Sequence, residues 1–214
     1  MTTPRQLEWM IFDVDGTLAD TLALCLAAYR HAFALHGHPD LDDTQITALF
    51  GPNDEGIIRS AVGDAWRACY DDFYAYYTSE HDARVTPLPG VRELLAELAR
   101  RSVRLTVLTG KGDATARHSL ERLGLLEFFD DVLCGSPAGP VKDERLVEMA
   151  KTAAVARAHI AYIADQPPDM LAARKAGVVP IGAAWAAGSS AAALRAAGAA
   201  IVAIQPHDLL QLAA

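Results

Sequence analysis

The chain has 214 residues, about half of them hydrophobic, and a formal net charge of −8 at pH 7. That length supports one large domain or a domain with an insert, and the negative balance argues against general affinity for nucleic-acid backbones. Cys25, Cys69 and Cys134 are odd in number and show no CxxC spacing, so disulfide and zinc frameworks have no support and buried thiols in a reducing compartment are expected.

The opening MTTPRQLEW lacks the basic-then-apolar pattern of a signal peptide. The first element is an apolar run, WMIFDV (9–14), read as a strand that ends in Asp-Gly. The interval 18–84 then reads as helices throughout, over 22–35, 44–50, 55–62 and 65–79, with no strand pattern. It holds eleven Asp/Glu against four Arg and no Lys. An acidic helical block directly after the first strand's loop is expected to be an inserted cap, closed by a hinge at Pro87, Pro89 and Gly90.

Beyond the hinge, apolar runs alternate with amphipathic stretches. VRELLAELARR (91–101) puts Val91, Leu94, Leu95 and Leu98 on one helical face, with arginines in the last turn. VRLTVLT (103–109) is the second core strand, and the helix that follows is expected to stop at Gly124. DVLCG (131–135), HIAYIAD (159–165), VVPIGAA (178–184) and AAIVAI (199–204) complete the strands, with helices at ERLVEMAKTAAV and DMLAARKAG between them. Runs that are apolar without alternation suit strands covered on both faces. The fold predicted is therefore α/β, a Rossmann-like doubly wound parallel sheet over 1–17 and 85–214 with an all-helical cap over 18–84. The stretch 178–204 is apolar overall but broken by Pro180, Gly182, Gly188 and Arg195, unlike a membrane span of ~20 apolar residues. A cytoplasmic protein without membrane or nucleic-acid partners is expected.

In open α/β sheets, ligands bind outside the carboxyl ends of the strands, and that is where the reactive side chains fall. The first strand delivers Asp13 and Asp15 around a turn at Gly16. Phosphoryl transfer needs a nucleophile, an acid for the leaving oxygen and positive charge for the phosphate. Carboxylates alone would repel a phosphate, which calls for a divalent cation. Asp165 and Asp169 follow the fourth core strand as further hard oxygen ligands suited to Mg²⁺. Thr109 and nearby backbone N–H groups can hold phosphate oxygens, and Lys142, read as lying in the loop after the third strand, can neutralise nucleophile and phosphate together. Each has a plain structural alternative. Asp-Gly is a common turn pair, Asp165 before Pro167-Pro168 fits a helix N-cap, and Lys142 fits a solvated lysine.

Taken in order, these elements resemble the haloacid dehalogenase superfamily, in its phosphoglycolate-phosphatase-like branch with a helical cap. The resemblance covers nearly the whole chain and is carried by DVDGT at 13–17, TGKG, LERLGL, FFDDVLCG and AARKAGV. It implies that Asp13 is the nucleophile and a metal ligand, and that Asp15 is the general acid/base whose main-chain carbonyl also meets the metal. It implies phosphate binding by Thr109 and Gly110, charge balance by Lys142, a metal-ligand role for Asp165 and support of metal-bound water by Asp169. The implied cofactor is Mg²⁺ and the implied substrate a small phosphorylated metabolite, with the protein a monomer or homodimer. Asp143 stands where members usually carry Pro after the lysine, and Ala164 where they usually carry Gly before the aspartate. The cap holds no lysine for the Schiff-base chemistry of phosphonate-cleaving relatives, and dehalogenases lack the second aspartate, present here as Asp15. A phosphate-binding protein with little turnover, or a phosphomutase, is the alternative.

Overall fold

The computed structural model describes residues 6–38 and 41–213, so part of the N-terminal stretch read above lies outside the described residues. Among the described residues there are eight strands: β1 Trp9–Phe12, β2 Ala19–Asp20, β3 Thr86–Pro87, β4 Arg104–Leu108, β5 Asp131–Leu133, β6 Ile160–Ala164, β7 Val179–Ala183 and β8 Ile201–Ala203. Six of them form one parallel sheet in the order β5-β4-β1-β6-β7-β8. The order reverses on either side of β1, which makes its carboxyl end the crevice where such sheets bind ligands.

Alternation along β1 assigns its side chains to two cores. Met10 and Phe12 face the layer that contains α5 (Val91–Arg100) and α6 (Asp113–Arg122), where Leu94, Leu95, Leu98 and Leu120 are buried. Trp9 and Ile11 face the layer of α7 (Lys142–Thr152), α8 (Pro167–Ala176) and α9 (Ala191–Ala196), with Leu146, Met170 and Leu194. With helices on both faces, β1, β6 and β7 are buried along their whole length, which is why their runs are continuously apolar.

The acidic interval folds into α1 Leu22–Leu35, α2 Asp43–Thr47, α3 Asp54–Val62 and α4 Trp66–Arg84. These helices share a separate core in which the rings of Tyr29 and Phe73 stack at 4.5 Å. The reading of this interval as wholly helical needs one correction. Ala19–Asp20 is a strand that pairs antiparallel with Thr86–Pro87, tying the two chain crossings together at the base of the helices. Two residues are too few to display a period-2 pattern, so the sequence carries no sign of the ribbon. All three cysteines are free and buried, as expected. Among the described residues no helix is long and apolar enough to cross a membrane.

The helical layer is seated on the sheet by α3. Asn53 caps that helix by accepting from the Gly56 N–H at 3.1 Å, while the Asn53 N–H donates to the Ser136 carbonyl at 2.9 Å. Gly56 is required by contact, since a Cβ there would lie 2.5 Å from the Pro137 carbonyl oxygen and 2.9 Å from Pro137 Cα. Gly to Ala in a helix ordinarily gains up to about 1 kcal/mol, but overpacking against backbone costs roughly 1–3 kcal/mol. Gly56→Ala should therefore lower the thermal unfolding midpoint. Gly188→Ala, where a Cβ would meet nothing within 4 Å, should leave it unchanged. Equal midpoints for both variants would show that α3 is not held against the loop after β5.

Candidate active site

β1 ends one residue before Asp13, whose backbone N–H donates to the Ile163 carbonyl at 3.0 Å and so continues the ladder to β6. Asp13 is buried, 5% exposed as a residue; its Oδ1 accepts from the Val14 N–H at 2.7 Å, leaving Oδ2 to face Lys142. The chain then turns at Gly16 (φ +70°), where a Cβ would overlap the Asp165 carboxylate. A glycine is needed there for both the left-handed backbone and the close approach of Asp165.

Lys142 is the centre of the arrangement. It is the first residue of α7 rather than a loop residue, a correction to the expectation above. From that position Nζ donates to Asp13 Oδ2 at 2.6 Å and to Asp169 Oδ1 at 3.0 Å. Burial disfavours its ammonium, but Asp13 and Asp169 outweigh that, and Lys142 titrates well above the ordinary lysine range. The solvated-lysine alternative is excluded by this geometry.

Asp165 follows β6, and the N-cap of α8 is Gln166, which makes no side-chain cap bond. The helix-cap alternative for Asp165 therefore falls. Its Oδ2 accepts from Gln166 Nε2 at 2.6 Å, while Oδ1 is buried without a hydrogen-bond partner. Burial, with help from Asp13 and Asp169 and against the Gln166 bond, pushes its pKa up to about 7. Asp169, in the first turn of α8, accepts from Lys142 and from the Tyr162 hydroxyl at 3.2 Å, and burial raises its pKa.

Asp15 accepts from the Thr21 hydroxyl, and its Oδ1 lies 3.2 Å from Lys111 Nζ. Burial raises its pKa against the pull of Lys111, and the nearby Asp13 adds to the rise. Its protonated form is thus more accessible than that of an ordinary aspartate, which suits a proton donor. Thr109 directly follows β4 and is 1% exposed; its Oγ1 accepts from the Lys111 N–H at 3.3 Å. Asp13, Asp15, Gly110, Lys142, Asp165 and Asp169 line one pocket, and Thr109, directly before Gly110, is not among its lining residues.

Lys111 was not singled out from the sequence. Its side chain is 3% exposed, with Nζ at 3.1 Å from Cys25 Sγ and 5.0 Å from the Tyr77 ring centre, both on the helical layer. Burial opposes its charge, but Asp15 leads the groups that raise its pKa well above the ordinary value. Asp54 was also missed. It lies at the start of α3 and accepts from the Tyr29 hydroxyl at 2.9 Å, the Gly112 N–H at 3.0 Å and the Thr115 hydroxyl. The only local hint for Lys111 was a Gly-Lys-Gly run directly after a strand. Asp54 looked like one more acidic surface residue.

The donor set fits a hard divalent cation. Asp165 Oδ1 is an orphaned buried oxygen beside Asp13, and all candidate ligands are oxygens. No group of three His, Cys, Asp or Glu side chains among the described residues forms a cage by itself. Mg²⁺ does not need one, since it is usually bound by one or two carboxylates together with water and substrate phosphate. Of the two departures from the familiar motifs, Asp143 points its charge to Lys175 at 3.2 Å. Ala164 is fully buried at the end of β6, opposite Gly182.

Residues 10–183 match the family described as haloacid dehalogenase-like hydrolase, and the chain belongs to that family, in its phosphoglycolate-phosphatase-like branch. A phosphoglycolate phosphatase of Agrobacterium fabrum is 30% identical over 195 residues, covering 85% of this chain and 82% of its own. The protein named tyrosine-protein kinase PtkA in Mycobacterium tuberculosis is 27% identical, and the match spans 85% of this chain but 63% of that longer one. Among solved structures, a haloacid dehalogenase-like family hydrolase from Streptococcus pneumoniae superposes with a TM-score of 0.73 at 27% identity, covering 95% of this chain and 97% of the other.

The raised pKa of Asp165 has a consequence for stability. Unfolded Asp titrates near ~3.9, so between about pH 4 and about 7 the folded chain holds a proton that the unfolded chain has released. The contribution of Asp165 to stability therefore falls as pH rises across that window. In chelator, Asp165→Asn should flatten the fall and unfold at a higher temperature than the parent at pH 8. A lower midpoint for the variant at pH 8 would make the carboxylate itself structural.

Proposed function

We propose that the chain is a Mg²⁺-dependent phosphatase that hydrolyses a small phosphate monoester through an aspartyl-phosphate on Asp13. The observation that carries this reading is the single ammonium of Lys142 bridging Asp13 and Asp169 in the pocket that also holds Asp15 and Asp165. A carboxylate that is buried, oriented by the Val14 N–H and compensated by a lysine is available to attack phosphorus without a large loss of hydration.

In the first half-reaction an Asp13 carboxylate oxygen forms a bond to phosphorus and the ester P–O bond breaks. Asp15 transfers its proton to the departing alkoxide. In the second, Asp15 takes a proton from a water that attacks phosphorus, the bond to Asp13 breaks, and inorganic phosphate leaves. Lys142 holds Asp13 in place and balances phosphoryl charge throughout. Gly110 and Thr109, next to one another at the end of β4, are the proposed phosphate-binding backbone and hydroxyl. Asp13 and Asp165, with the Asp15 main-chain carbonyl and with Asp169 behind them, would hold Mg²⁺. When bound, the cation supplies charge neutralisation and orientation for the phosphate oxygens. The helices α1–α4, covering residues within the proposed cap 18–84, would exclude bulk water from the pocket. The partner is a small phosphorylated metabolite rather than a nucleic acid or membrane, in a cytoplasmic setting.

Activity should vanish in EDTA and return with Mg²⁺ but poorly with Ca²⁺, whose coordination is larger and looser. Asp13→Asn should abolish turnover and leave no covalent adduct. Asp15→Asn should slow both half-reactions by roughly 10²–10⁴-fold, yet an activated aryl phosphate should still phosphorylate Asp13. Mass spectrometry of the acid-quenched variant should then show an adduct ~80 Da heavier, one phosphoryl replacing one proton. An adduct on another residue, or turnover by Asp13→Asn, would remove the nucleophile assignment.

A further inference from the structure

The share of the pocket wall that the helical layer supplies differs in chemistry from the share supplied by the sheet. Leu22, Cys25, Phe50, Pro52 and Ile57 line it, with Leu22 47% and Phe50 41% exposed. The volume is about 460 Å³, within the range of pockets that enclose drug-sized ligands and far more than a phosphoryl group with a two-carbon substituent fills.

Charge points the same way. Asp13, Asp15, Asp20, Asp54, Asp165 and Asp169 line the pocket against only Lys111 and Lys142. Both lysines are already matched, Lys142 by Asp13 and Asp169 and Lys111 by Asp15. A divalent cation would add positive charge beside Asp13 and Asp165, where the phosphoryl group goes. No arginine or histidine is among the described lining residues. The arginines of α1, α3 and α4 are engaged elsewhere: Arg30 with Asp43 at 2.5 Å, Arg84 with Glu80 at 2.8 Å, and Arg59 and Arg67 over the Trp66 ring at 4.0 and 4.7 Å. A carboxylate or second phosphate on the leaving group would thus enter a space facing Asp15, Asp20 and Asp54 with no free cation among the described lining residues to meet it. An uncharged apolar group would instead be covered by Leu22, Phe50 and Ile57, which favours its removal from water.

We propose, resting on the phosphatase reading above, that the preferred substrate is a phosphate monoester whose leaving group is uncharged and largely apolar, of aryl or branched-alkyl size. Phosphorylated acids such as phosphoglycolate, and bisphosphates, are disfavoured by the same wall.

The test is kcat/KM with Mg²⁺ on pairs matched in leaving-group chemistry: benzyl phosphate against 4-carboxybenzyl phosphate, and propyl phosphate against phosphoglycolate. The neutral member should lead each pair by about tenfold or more, since like charges brought together on binding cost several-fold to many-fold in affinity. Benzyl phosphate should also lead propyl phosphate, and Phe50→Ala should lower kcat/KM for benzyl phosphate by about tenfold while affecting propyl phosphate less. A carboxylated member that equals or beats its neutral partner overturns the proposal and leaves the phosphatase reading standing. Failure of Phe50→Ala to separate benzyl from propyl phosphate removes the apolar wall as the selecting element. No hydrolysis of any member, with no phosphorylated Asp13, overturns both readings together.

Discussion

The site is built on one electrostatic constraint: several aspartates are crowded at the carboxyl end of β1 and β6, and two lysines, Lys111 buried and Lys142 partly buried, hold them there. Burying a carboxylate without a partner is expensive, and the usual escape is a raised pKa. Asp15, Asp165 and Asp169 all move that way. Lys142 limits the effect by touching two of the carboxylates at once. Its position at the first turn of α7 is electrostatically unfavourable for a cation. The attraction of Asp13 and Asp169 exceeds that penalty, and Asp143 and Glu144 in the same turn supply the acidic side chains a helix start favours.

The second lysine ties the carboxyl edge of the sheet to the helical layer. Lys111 stands between Asp15 on the sheet side and Cys25 and Tyr77 on the other. Beside it, Asp54 reaches across to the start of α6, whose own N-cap, Gly112, has no side chain to offer. One carboxylate thereby satisfies a helix terminus in a different layer and a buried tyrosine hydroxyl. Further out, Ser119 of α6 meets the Tyr77 hydroxyl at 2.7 Å and His81 Nε2 at 3.0 Å. The polar groups that bind the two layers are therefore contiguous with those that position Asp15, and the pocket depends on both layers being in contact. Its mainly apolar outer wall and its acidic interior are products of the same seating.

Much of this was legible in the sequence because the determinants are local. Continuous apolar runs such as IAYIA and VVPIGAA mark strands covered on both faces, and the 3-4 spacing of Val91, Leu94, Leu95 and Leu98 marks one side of a helix. The six sheet strands and the run of acidic helices follow from those periods alone. The DVDGT run was distinctive because its residue types and spacing were constrained by a strand end and a tight turn at once. The two-residue ribbon Ala19–Asp20 with Thr86–Pro87 was not legible, since its paired residues are 66 and 68 apart in the chain and its strands are too short for any period.

The sequence by itself determined which side chains stand at the ends of strands, because strand ends are set by local hydrophobic pattern and turn residues. Only the tertiary structure decided which of them meet. The sequence reads Lys142 as a charge-balancing loop lysine and Asp165 as a metal ligand or a helix cap; the packing of α7 against α8 brings Lys142 to Asp13 and Asp169 and leaves Asp165 Oδ1 without a partner. Lys111 and Asp54 carried almost no local signal, since their partners lie 96 and 58 residues away in Asp15 and Gly112. Charge balance in a buried site is a sum over groups from several elements, and no window of sequence contains that sum.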